Sequence, residues 1–166
     1  MCEFKMKQSL ILGYGNADRQ DDGVAWHVLA RLANKLGRPV PPEIGENFDS
    51  EESSPEFLYA LQLAPEMAET IANFEQVCFV DAHTGSIAED VKITSLLPAF
   101  QNSPFTHHMT PETLLAFVKG LYDRQPAAIL ISIRGYEFGF AHDLSSGTDR
   151  LADQAVDTIA KWLEIQ

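Results

Sequence analysis

Three polar residues in this sequence stand where an α/β protein can do chemistry. Asp22 follows the apolar residues 9–12 and a glycine turn, Gly13-Tyr14-Gly15-Asn16. Asp81 closes the apolar run 76–80, and His107, with His108 beside it, lies between a second such run and the proline at Pro111. Parallel sheets put ligand sites beyond the carboxyl ends of their strands, so two carboxylates and an imidazole far apart in sequence are expected on one sheet edge. Such a donor set suits a borderline divalent cation such as Ni²⁺ or Zn²⁺. Three protein ligands leave coordination positions open for work, unlike a closed structural site. Each residue also has a purely structural reading. Asp21 or Asp22 could cap a helix, Asp81 could end its strand in an Asx turn, and the histidine pair could be a surface loop.

Other chemistries fit less well. Residues 13–18 begin like the dinucleotide fingerprint G-x-G-x-x-G, but Asp18 stands at the third glycine, where close helix–sheet packing is needed. Asp21-Asp22 would also set negative charge at the helix end that receives a pyrophosphate. A nucleotide-binding or small-molecule α/β enzyme using this loop is therefore the weaker alternative. No Gly-x-Ser-x-Gly elbow occurs. Cys2 is in a terminal tail and Cys78 inside the run Val77-Cys78-Phe79-Val80, with no metal spacing between them. Cys78 reads as a small buried hydrophobe.

The elements that must position these residues follow from periodicity. Residues 9–12, 57–63, 76–80, 91–97 and 127–133 read as strands, with a further weak strand near 43–48 in a loop spanning 39–56. A helix after Asp22 is marked by the stripe Ala25, Leu29, Leu32, Leu36 and is ended by Gly37 and Pro39. Pro65-Glu66 opens a second helix. Thr110 caps a third, with Leu114, Val118 and Leu121 inward. A fourth spans about 149–165, with Leu151, Ala155, Ile159 and Trp162 inward. Alternating strands and helices argue for a three-layer α/β/α sandwich around a mainly parallel twisted sheet, with residues 1–166 as a single domain. The loop 134–140 is aromatic-rich. It either lines a groove beside the site or closes the core, and His142 reads as a surface residue.

Composition narrows the partners. The chain has 166 residues, 45% hydrophobic and 22% charged, which suits a folded domain. Its formal net charge is −12, from 24 acidic and 12 basic residues, a sign that disfavours nucleic acid and anionic membranes. A basic peptide or a cationic metal centre is the more natural partner. The amino-terminal residues have no signal-peptide layout and no span-length apolar run, so a soluble cytoplasmic protein without membrane insertion is expected.

At these residues the chain resembles the hydrogenase maturation proteases, a peptidase family that trims nickel hydrogenase large subunits. Gly13-Tyr14-Gly15-Asn16 followed by Asp21-Asp22-Gly23 is similar to the family's G-x-G-N-x(4)-D-[ED]-G. Val80-Asp81-Ala82 is similar to an apolar run closing on Asp-Ala. Thr106-His107 ahead of Leu114-Leu115 is similar to a third motif, whose leucine spacing favours His107 over His108. The resemblance implies a phosphorylase/hydrolase-like α/β/α fold, and a metal bound by Asp22, Asp81 and His107, with His108 as the alternative. It implies endopeptidase removal of a carboxyl-terminal extension from a large-subunit precursor by a monomer that senses nickel carried by the substrate. Zinc or cadmium could occupy the same donors, and no catalytic nucleophile is assigned. A bound cation would polarise the scissile carbonyl or lower the pKa of water. The family's Asp-Gly-Gly-Thr-like turn is missing: residues 48–62 read FDSEESSPEFLYALQ, with Asp49 a loose substitute, and Gln62-Leu63-Ala64-Pro65-Glu66 stands instead. That departure leaves open a non-catalytic metal-sensing or chaperone-like module on the same fold.

Overall fold

The computed structural model describes residues 7–48, 54–100 and 108–164. The segment Lys7–Tyr14 (β1) is the inner strand from which the rest is built. Glu56–Ala60 (β2) pairs with it in parallel on one side and Phe74–His83 (β3) on the other. Ala127–Arg134 (β5) continues the parallel ladder from β3, and Val91–Leu96 (β4) closes the sheet antiparallel to β5. The order is β2-β1-β3-β5-β4.

Helices cover both faces. Val24–Lys35 (α1) and Ser146–Glu164 (α4) bury one face against Ile11, Cys78, Val80, Ile131 and Ile133. Met67–Ile71 (α2) and Pro111–Tyr122 (α3) bury the other against Leu10, Leu12, Val77 and Phe79. Successive side chains on a strand point to opposite faces, so one apolar run feeds both cores. The three-layer α/β/α architecture expected from the sequence is the one observed. Cys78 is fully buried, and burial pushes its thiol far above the ordinary range, so it packs as a hydrophobe. Among the described residues no helix is long and apolar enough to cross a membrane.

Thr110 is the expected cap of α3: its Oγ1 accepts the Thr113 N–H at 3.2 Å, with proline in the first turn. Thr110→Ala should cost about 1 kcal/mol. That would appear as a lower urea midpoint at unchanged slope.

Five boundaries differ from expectation. Residues 41–48 form turns and irregular chain, not a strand. Pro41 and Pro42 lack the N–H a ladder needs, and Phe48 instead packs between Trp26 and Phe57, at ring-centroid distances of 6.3 and 5.5 Å. β2 stops at Ala60, and α2 begins at Met67 and is a single short turn of helix. α4 begins at Ser146, three residues before the expected start, because Ser145 Oγ accepts the Thr148 N–H at 3.4 Å as its cap. The last of the five matters most. β3 does not end before Asp81 but runs through it, with Asp81 opposite Ser132 and His83 opposite Arg134 on β5.

The topology fixes where a ligand can sit. The chain leaves β1 towards α1 on one face, and it re-enters the sheet at β3 from α2 on the other. A crevice therefore opens above the carboxyl ends of β1 and β3, the switch point of the sheet.

Candidate functional site

Gly13 pairs with Val80, so the next residues of these parallel strands, Tyr14 and Asp81, lie side by side. Alternation puts both on the α2/α3 face with Leu12 and Phe79. Above them is a cavity of about 750 Å³, lined among others by Tyr14, Asp22, Asp81, His83, His108 and Glu112. Among the described residues no lysine or arginine lines it. A second cavity of about 480 Å³ shares Gly15, Asn16 and Leu61 with the first.

Asp22 reaches the cavity from the 3₁₀ turn Gln20–Gly23, which leads into α1. The Asn16 N–H donates to its Oδ2 at 2.9 Å. Gly15 permits this approach: its φ is +142°, and a Cβ there would stand 2.2 Å from the Asp22 carbonyl oxygen. The contact also bears on nucleotide binding. The Asn16 amide that a phosphate would need is already held by a carboxylate, at a site whose own charge is negative.

Asp81 is held inside the strand. The Ala82 N–H donates to its Oδ1 at 2.7 Å, and the neighbouring Tyr14 hydroxyl also favours the charged form of the carboxylate. Burial pushes the Asp81 carboxyl up to about 6, against the pull of those two groups, and the Asp22 charge pushes the same way. Burial, with the Asp81 charge next, drives the Tyr14 phenol far above its ordinary range, so it remains a neutral donor.

Asp21 has another role than its neighbour. It is wholly buried and caps no part of α1. Its carboxylate accepts the N–H groups of Tyr136 and Glu137 at 2.8 and 2.9 Å and that of Ser145 at 2.8 Å. The hydroxyls of Ser145 and Thr148 stand 2.6 and 2.9 Å away. Burial would raise its pKa, but the Ser145 hydroxyl and the backbone donors of Glu137, Tyr136 and Ser145 outweigh it, and the carboxyl lies below the ordinary value. Asp21 thus fastens the site turn to the loop between β5 and α4.

The histidines divide. His107 lies outside the described residues. His108 lines the cavity and is exposed. His83 lines the cavity too, but both of its nitrogens are occupied. The Gly85 N–H donates to Nδ1 at 3.1 Å, which puts the ring proton on Nε2, 3.0 Å from the Glu89 carbonyl. His142 is exposed and pairs with Asp18 at 2.8 Å, a surface residue as expected. Among the described residues no three His, Cys, Asp or Glu stand together closely enough to hold a metal ion. What converges is a pair, Asp22 and Asp81, two oxygen donors suited to a divalent cation but one donor short of a site.

Tyr14, His83, Glu112 and the fastening role of Asp21 were not singled out by sequence reading. Tyr14 had a signal: residues 10, 12 and 14 share a face if the first strand runs through the glycine. The aromatic loop is neither groove nor core. None of residues 134–140 lines the cavity, and Phe140 is 94% exposed.

No protein-family model matches the sequence, and no curated protein matches it. Solved structures do match. The [NiFe] hydrogenase maturation protease HycI from Thermococcus kodakarensis KOD1 superposes with a TM-score of 0.63 at 19% identity, covering 96% of this chain and 94% of that one. The hydrogenase maturating endopeptidase HybD from E. coli gives 0.65 at 15% identity, covering 95% and 92%. A hydrogenase 2 maturation peptidase from Thaumarchaeota archaeon SCGC_AB-539-E09 gives 0.58 at 19% identity, covering 96% and 100%. Identities this low establish architecture rather than activity: this chain has the α/β fold of the hydrogenase maturation proteases.

Proposed function

We propose that this protein is an endopeptidase that removes the carboxyl-terminal extension of a nickel hydrogenase large-subunit precursor after metal loading. It works as a cytoplasmic monomer and senses the substrate's nickel with Asp22, Asp81 and a histidine, His107, or His108 in its place. One observation carries the reading: carboxylates from two separate segments face one cavity that, among the described residues, no lysine or arginine lines, at the switch point of a fold shared with maturation proteases. The donor set takes zinc or cadmium as readily as nickel. A cation bound there would polarise the scissile carbonyl or lower the pKa of an attacking water. The chain's part is to hold the donors still. Asn16 and Gly15 fix Asp22, and Ala82 fixes Asp81.

Co-expression with a nickel-loaded precursor tests this. Asp22→Asn, Asp81→Asn and His107→Ala should each abolish the mobility shift of the trimmed subunit, with His108→Ala run beside them to identify the histidine. Processing that survives all of these substitutions refutes the reading.

A non-catalytic metal-sensing module is favoured by one feature. The chain after β2, Leu61-Gln62-Leu63, lines the cavity without a glycine turn or a carboxylate. Cleavage of the precursor by the purified protein eliminates that alternative; capture of the precursor without cleavage supports it.

A further inference from the structure

We infer that the second cavity is a subsite for the side chain of a lysine or arginine that flanks the scissile bond of the peptide substrate. The inference rests on the endopeptidase reading above and names a feature of its substrate.

This cavity, of about 480 Å³, lies at the carboxyl end of β2, between the glycine turn and residues 44–47. Tyr59 lines it and is buried, so the ring belongs to the core. The β2 register sets Tyr59 opposite Gly13, and its hydroxyl donates to the Gly15 carbonyl, which ties the cavity wall to the glycine turn. Ile44 and Leu61 add apolar surface, and the charged lining residues among those described are Asp18 and Glu46, both exposed. The Glu46 N–H donates to the Glu43 carbonyl at 3.3 Å, in a turn that carries Glu46 to this cavity. Asp18 already meets His142 at 2.8 Å, whereas Glu46 has no ion-pair partner among the described residues.

Aromatic and aliphatic walls with carboxylates at the solvent side match a side chain that has an apolar stem and a cationic head. An acidic side chain would be repelled by both carboxylates. The net charge of −12 draws a cationic segment to the same surface. Gly15, Asn16 and Leu61 line both cavities, so the two are continuous. A peptide with its scissile bond over Asp22 and Asp81 therefore runs past the second cavity, where a flanking side chain can enter beside Glu46.

The test is amide NMR of the labelled protein, titrated with acetyl-Ala-Arg-Ala-amide and acetyl-Ala-citrulline-Ala-amide. Citrulline keeps the length of arginine and lacks its charge. Exposed carboxylates each contribute modestly, so the arginine peptide should bind at least about threefold more tightly, with its largest shifts at the amides of Gly15, Gly45 and Asn47. The double variant Asp18→Asn/Glu46→Gln should bind the two peptides alike. Should it fail to fold, Glu46→Gln alone, at an exposed position, is read the same way. The inference is overturned if the wild type prefers the arginine peptide by less than that margin, if the shifts centre elsewhere, or if the preference survives in the variant. Precursor processing is followed with the same wild-type protein. A precursor left uncleaved alongside the stated peptide preference refutes the endopeptidase reading, while the subsite for a basic side chain stands.

Discussion

Asp21→Ala should unfold this protein more readily than any other single substitution at the site, by on the order of 3–5 kcal/mol for the donors it leaves unpaired. Removing the carboxylate orphans three backbone N–H groups, those of Tyr136, Glu137 and Ser145, and takes an acceptor from the Ser145 and Thr148 hydroxyls. An unsatisfied buried donor costs about 1–3 kcal/mol, with some recovered where water enters the gap. For a chain of this length that is roughly 10 °C of melting temperature. Urea denaturation gives the energy, and a loss below about 1 kcal/mol would show that the loop finds other acceptors. The same residue carries a pH signature. Its folded pKa lies below the unfolded one of about 3.9. The stability it contributes is therefore fully present above that value and is lost as pH falls through the folded pKa. Asp21→Ala should flatten the acid limb of the stability curve while lowering the whole of it.

Asp81→Asn should do the opposite to the fold and end metal binding. Asp81 is pushed up to about 6 in the folded protein, against about 3.9 in the unfolded chain. An acid with a raised folded pKa opposes folding wherever it must ionise. The penalty is complete above about pH 6, shrinks as pH falls towards the unfolded pKa, and is absent below both. An amide of the same shape removes it. The variant should melt higher at pH 7.5 by on the order of 1–3 kcal/mol and be indistinguishable from the wild type near pH 3.5. Cd²⁺ titration of the same samples should show no binding. Such a pairing marks a residue kept for function at the expense of stability. A variant that melts lower at pH 7.5 would mean that the bond from the Ala82 N–H and the neighbouring Tyr14 hydroxyl outweigh the burial of the charge.

These aspartates also show what a sequence can and cannot disclose. The helices announced themselves through local signals: the stripe from Ala25 to Leu36, the Thr110 cap, the apolar face of α4. The order of strands and helices followed, and with it the crevice where Asp22 and Asp81 meet. Asp81 is expected at the end of its strand because the apolar run 76–80 stops there. The ladder to Ser132 continues past it because pairing with β5, a long-range contact, overrides that local signal. For Asp21 the local signals offer only a helix cap, an alternative it shares with Asp22. Its true partners are 115 to 127 residues away, and nothing within a helical turn of it points there. Tyr14 was hidden by its surroundings: flanked by Gly13 and Gly15 it reads as turn, and only the register with β3 makes it strand.

The Asp21 clamp has a consequence for how the protein is made. Residue 21 leaves the ribosome 127 positions ahead of Thr148, one of the groups that fastens it. At roughly 5–20 residues per second, the turn carrying Asp22 waits on the order of 6–25 s for the helix that locks it. Until α4 docks, the nascent chain holds a pair of aspartates without a fixed geometry. The timing of translation thus withholds the fixed geometry of the Asp22–Asp81 pair until α4 has been made.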